Sequence, residues 1–170
     1  MKISALDEAV SNGRPGPLAA AALSGGPILL AAMLGNAATI PNIAPWYDNL
    51  AKPPLTPPNW VFGPAWTVLF LLMGIAFYRV LRSDAAPTIR VRAIALFAVQ
   101  LALNAGWSFA FFGAQSPLLG LAVILPFEAL IFATIWAFWR IDRAAAYCLI
   151  PYAMWVAFAT YLNAGVWALN

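Results

Sequence analysis

The sequence predicts an all-α integral membrane bundle of five transmembrane helices. Three observations carry that reading. Of 170 residues, 64% are hydrophobic and only 9% are charged, against roughly 25% charged in an average soluble domain. Residues 18–40, 53–78, 93–127 and 144–170 contain no Asp, Glu, Lys or Arg. The third run extends to residue 139 with Glu128 as its single interruption, and Gly113-Ala114-Gln115-Ser116-Pro117 divides it in two. A bilayer core takes roughly 20 apolar helical residues, which places spans at about 18–40, 59–81, 91–112, 117–139 and 144–166. A soluble helical domain would need a charged face on each helix, and no segment after residue 17 has one. A membrane β-barrel would need short alternating segments, and alternation is absent.

Residues 1–17 are polar to mixed and read as an N-terminal tail; the five-helix domain occupies 18–170. The first apolar run is too long for the 7–15-residue core of a signal peptide, so it is read as a retained span. It is rich in small residues, which favour close helix approach in lipid. Residues 46–66, WYDNLAKPPLTPPNWVFGPAW, hold five prolines and three tryptophans. Pro53-Pro54 and Pro57-Pro58 cannot sit inside a regular helix and push their predecessors towards extended backbone. This stretch should be a stiff loop acting as a lid on the helices.

In span 2, Trp66, Phe70, Met73 and Phe77 share one helical face. Span 3 places Gln100, Asn104, Trp107 and Phe111 on one face and Ala98, Ala102 and Gly106 on another. Asn104 and Ala102 are about 200° apart, so one stripe suits a cavity and the other a close helix contact. Ser116 and Pro117 form a start signal for span 4. Glu128 lies near the middle of that span, where a carboxylate is costly and should face protein, a pore or a ligand. Asp142 is placed to cap span 5, in which Tyr152, Trp155, Ala159 and Asn163 share a face.

Sidedness follows from the basic residues. Lys2, Arg14, Arg79, Arg82, Arg90, Arg92, Arg140 and Arg143 fall on one side and Lys52 alone on the other. The positive-inside rule then predicts a cytoplasmic N-terminus and an external proline-rich loop, if the chain inserts into an inner membrane. The chain has no histidine and one cysteine, Cys148. No catalytic constellation, metal-ligand spacing or nucleotide loop is present, and the charge pattern gives no reason to expect nucleic acid. Trp46, Trp60, Trp66, Gln100, Asn104, Trp107, Glu128, Tyr152, Trp155 and Asn163 are the candidate ligand-binding residues. Aromatic faces with a few amides suit a flat, largely apolar ligand.

These residues carry a resemblance. Trp46-Tyr47-x-x-Leu50-x-Lys52-Pro53, followed by Pro57-Pro58-x-Trp60-x-Phe62-x-x-x-Trp66, resembles the tryptophan-rich sensory protein family. Its mitochondrial relatives are the translocator proteins, or peripheral-type benzodiazepine receptors. Gln100-Leu101-x-Leu103-Asn104-x-x-Trp107, Asp142-Arg143-x-Ala145 and Pro151-Tyr152-x-x-Trp155 with Leu162-Asn163 extend the resemblance over about residues 25–170. It implies a five-helix bundle, usually a homodimer in contact with membrane lipid. It implies tetrapyrrole ligands such as porphyrin or haem, sterol-like ligands in some relatives, and no required cofactor. The implied function is a sensor or transporter. The alternatives implied are light- or oxygen-dependent porphyrin breakdown and a dimeric scaffold. The resemblance assigns the pocket to Trp60, Asn104, Trp107 and Trp155, with Trp46 nearby, and the dimer contact to Ala98, Ala102 and Gly106. Glu128 departs from the family pattern, which commonly has an apolar residue there.

Overall fold

A computed structural model describes residues 13–170. The part of the expected tail at residues 1–12 lies outside the described residues. Five long helices follow: α1 (Pro17–Ile43), α2 (Phe62–Leu81), α3 (Pro87–Ser108), α4 (Pro117–Trp139) and α5 (Arg143–Leu169). No strand occurs among the described residues. Each helix, counted with its short flanking turns, is long and apolar enough to cross a bilayer. Large apolar side chains such as Leu29, Met33, Leu71, Phe132 and Met154 are exposed. Such broad apolar exposure marks a surface made for a non-aqueous neighbour.

Local sequence sets the helix ends. Pro17, Pro87 and Pro117 each occupy the first turn, where a missing amide costs nothing. Ser116 Oγ accepts from the Leu119 amide at 3.3 Å. Asp142 Oδ1 accepts from the Ala144 and Ala145 amides at 2.8 and 3.1 Å, so both expected caps form. Pro27, Pro41, Pro126 and Pro151 lie within helices that continue past them. α3 ends in a π-helical turn, Phe109–Gly113, and Gln115 then adopts a left-handed backbone. The Gln115 side-chain Nε2 donates to Asn42 Oδ1 at 3.0 Å, tying this turn to the end of α1.

The helices form a ring in the order α1, α2, α5, α4, α3, with α3 returning to α1. One core stack joins three of them: Phe97 on α3 lies 4.3 Å from Phe77 on α2 and 5.8 Å from Phe138 on α4, with nearly parallel rings. At the basic end Arg79 pairs with Asp142 at 2.8 Å, and Arg14 pairs with Asp84.

The loop between α1 and α2 folds over the opposite end as two short 3-10 turns, Tyr47–Asn49 and Asn59–Val61, joined by extended backbone. It is fastened to α5. The Ala51 amide donates to Asn170 Oδ1, and Asn170 Nδ2 returns a bond to the Ala51 carbonyl, both at 3.0 Å. Tyr161 Oη donates to the Pro54 carbonyl at 2.9 Å. Gly165 leaves room for Pro53: a Cβ there would stand 2.5 Å from the proline ring.

Candidate functional site

A cavity of about 1040 Å³ lies between α1 and α2, with α3 behind it and the loop above. α1 contributes residues from Ala21 to Ile43, a path of about 33 Å at the helical rise. The cleft therefore runs along most of the depth of a bilayer core, roughly 30 Å. Leu29, Ile40, Leu71 and Ile75 line it and are also among the outward-exposed apolar residues. The cleft opens sideways, towards lipid.

Its walls are mainly apolar. Trp66 and Phe70 on α2 form a tilted pair 5.3 Å apart, both on the wall. Polar groups are few and spread out: Ser24, Asn36 and Thr39 on α1, Thr67 on α2, Asn104 and Ser108 on α3. Tyr47 and Asn59 supply the roof. Asn59 is steadied by donating to Asp48 Oδ1 at 2.8 Å. The Lys52 ammonium sits 4.8 Å from the centre of the Tyr47 ring. Burial, aided by the Asp48 charge, pushes the Tyr47 phenol above its ordinary pKa, so it stays neutral at pH 7.

Two of the ten residues expected to bind ligand, Trp66 and Asn104, face this cavity. Asn104 leads inward. Its Nδ2 donates to Tyr152 Oη at 3.1 Å, and Tyr152 Oη donates to Gln100 Oε1 at 2.9 Å. Gln100 and Tyr152 are buried and join α3 to α5. Gln100 Nε2 and both Glu128 carboxylate oxygens are buried without a hydrogen-bond partner among the described residues. Trp107 stacks on Phe111 at 5.3 Å, and its Nε1 donates to Asn163 Oδ1 at 3.0 Å. Asn163 Nδ2 donates in turn to the Pro117 carbonyl at 2.7 Å. Trp107 and Asn163 thus pin α3, α4 and α5 together instead of lining the cavity. Trp46 packs edge-on against Phe111 and Phe112, at 5.4 and 6.2 Å.

Trp60 and Trp155 are directed elsewhere. They line a separate groove of about 620 Å³ on the outside of α2 and α5, where Trp60 is 75% exposed. The expectation that the loop and span 5 tryptophans share one pocket with Asn104 therefore does not match the geometry. The reason is the loop's attachment to α5, which leaves Trp60 on the outer side of α2.

The cavity's largest contributor was missed at the sequence level. The small residues of span 1 suggest close helix contact; Gly35 makes one, since a Cβ there would stand 3.2 Å from Ser108 Oγ on α3, but Ala21, Gly25 and Ala32 line the cleft. A Cβ added at Gly25 meets nothing within 4 Å. Small side chains here create volume. The available signal was the conjunction of that small-residue face with the aromatic face of span 2, which no spacing rule brings together.

Fold and cavity define a class: a polytopic helical membrane protein with a ligand-sized, laterally open apolar cleft beneath a fastened loop. Comparison with known proteins agrees. The TspO/MBR family model matches residues 24–168, and the chain belongs to that family. It is 45% identical over 131 residues to the tryptophan-rich protein TspO of Chlorobaculum tepidum, covering 76% of this chain and 83% of that one. It is 38% identical over 143 residues to the tryptophan-rich protein TspO of Archaeoglobus fulgidus, covering 84% and 92%. The human translocator protein is 39% identical over 126 residues, covering 74% and 75%. The chain is a multi-pass membrane protein.

Proposed function

We propose that this protein binds a flat, largely apolar ligand of the tetrapyrrole class in the α1–α2 cleft, as a membrane receptor or carrier. The observation that carries this reading is the cleft itself: about 1040 Å³, largely apolar, with the Trp66–Phe70 pair on one wall and the Asn104 amide at its back. Its volume is at the upper end of ligand pockets, which favours a large ring over a small solute. Rings stack on the indole, and amide and hydroxyl groups orient the polar edge. The lateral opening supports entry from the bilayer, where such a ligand dissolves. The relatives called translocator protein and tryptophan-rich sensory protein support transport and sensing as the activities to test.

In this reading the N-terminus is cytoplasmic and the loop external, because basic residues crowd the opposite end. The chain pairs as a homodimer through α3, where Ala98 and Ala102 are exposed and Gly106 is half-buried.

Titration of protoporphyrin IX into the detergent-solubilised protein, followed by tryptophan quenching, tests the assignment. Saturable binding near one ligand per chain is expected, weakened in Trp66→Leu and Asn104→Ala while Trp60→Phe stays close to wild type. Non-saturable quenching, identical in all variants, would mean simple partitioning and would remove the tetrapyrrole assignment.

A further inference from the structure

The corner where α4 turns into α5 holds a constellation remote from the cleft. The Arg140 guanidinium lies over the Trp136 indole at 4.9 Å, and that of Arg143 lies over Trp139 at 5.4 Å. Trp139 meets Tyr147 edge-on at 5.2 Å. All three rings are exposed on the outer face of the bundle. The acid at this corner, Asp142, is already engaged by Arg79 and by the first amides of α5. Arg140 and Arg143 form no ion pair or hydrogen bond among the described residues.

The corner joins the ends of two spans, so it stands at the boundary between hydrocarbon and water. A guanidinium stacked on an indole gains from the ring's negative face and keeps its N–H edge free to grip phosphate oxygens. One turn deeper, Phe132 on α4 and Ile150 on α5 continue the outward apolar surface. Two unspent cations above aromatic rings and aliphatic surface match a ligand with an anionic head and an apolar body. We propose that this corner is a binding site for an anionic phospholipid. Its phosphate is held by Arg140 and Arg143, and its acyl chains lie along Trp136, Phe132 and Ile150. A zwitterionic lipid fits less well, because its head brings a cation towards two arginines with no acid left to receive it.

The test uses the whole protein in nanodiscs of equimolar phosphatidylglycerol and phosphatidylcholine, with retained lipid identified by native mass spectrometry. Phosphatidylglycerol should be enriched among retained lipids. R140Q and R143Q should each lower that enrichment roughly fivefold. Trp139→Leu, which keeps both charges, should lower it less. Arg92→Gln removes a charge from the same side of the bundle on α3 and should leave enrichment unchanged. Excess inorganic phosphate should not displace the lipid. Equal retention of the two lipids would overturn the site, as would an Arg92→Gln loss matching that of R140Q. Displacement by phosphate would overturn lipid as the occupant. If R143Q does not fold, R140Q decides alone, since Arg140 lies outside the Asp142 cap.

Discussion

Replacing Gly165 by alanine measures how firmly the loop is held on α5. The new Cβ would stand 2.5 Å from both Cβ and Cγ of Pro53. Carbon atoms in contact prefer about 3.5–4.0 Å, so the two segments must separate by about 1 Å. The proline ring cannot rotate away. The chain on either side of it is fastened, through Ala51 to Asn170 and through Pro54 to Tyr161. Overpacking of this kind costs about 1–3 kcal/mol. Alanine inside a helix recovers about 1 kcal/mol relative to glycine. The net effect on stability is therefore between zero and about 2 kcal/mol.

The strain should fall on the loop, because α5 is an unbroken helix from Arg143 to Leu169 and the loop holds by three hydrogen bonds. Amide hydrogen exchange by mass spectrometry, read at Ala51, should quicken by a factor of about 5–30, the equivalent of one to two kcal/mol. Unfolding in a denaturing-detergent titration should shift by the net zero to about 2 kcal/mol. Gly26→Ala is the control, since its Cβ meets nothing within 4 Å; it should stabilise by up to about 1 kcal/mol. If Gly165→Ala gained as much stability as the control and left Ala51 exchange unchanged, the loop would not be seated on α5 as described.

The remaining predictions concern the loop, the cap and the core. Asn170→Ala removes both bonds to Ala51 and should speed exchange there by a similar factor. Asp142→Ala removes the α5 cap and should cost about 1 kcal/mol, measured by thermal unfolding in detergent. Partial burial raises the Asp142 carboxyl pKa, but the bonds from Ala145, Arg79 and Ala144 together outweigh it, so the folded value lies below the ordinary one. Its stabilisation is then complete above the ordinary aspartate value of about 3.9. It is lost as pH falls through the lower folded value, and Asp142→Asn should remove that part of the acid limb in unfolding curves from about pH 2 to pH 6. Tyr152→Phe strips the hydroxyl between Asn104 and Gln100 and should cost about 0.6–1.7 kcal/mol per lost bond, read by detergent titration. A result of zero would mean that the freed amides find each other.

The sequence by itself determined the class and much of the architecture. Uncharged runs of span length, separated by prolines, charges or a Gly-to-Pro break, leave a hydrated fold no way to solvate its surface. Caps such as Ser116 and Asp142 were legible because capping is local, depending on a few consecutive residues. Faces were legible too: Asn104 is buried and Ala102 exposed, as the helical period requires. What lay beyond the sequence was which faces meet. Trp60 and Trp66 are six positions apart, yet one lies on an outer groove and the other on the cleft wall. Trp107 and Asn104, on one helical face, divide between an inter-helix clamp and the cleft. Those outcomes follow from the order of helices around the ring and from the loop's fastening to α5. Both depend on contacts between residues far apart in the chain, such as that of Ala51 with Asn170. Periodicity tells a helix which side is apolar; only the assembled bundle decides whether that side meets a neighbour, the lipid or an open space.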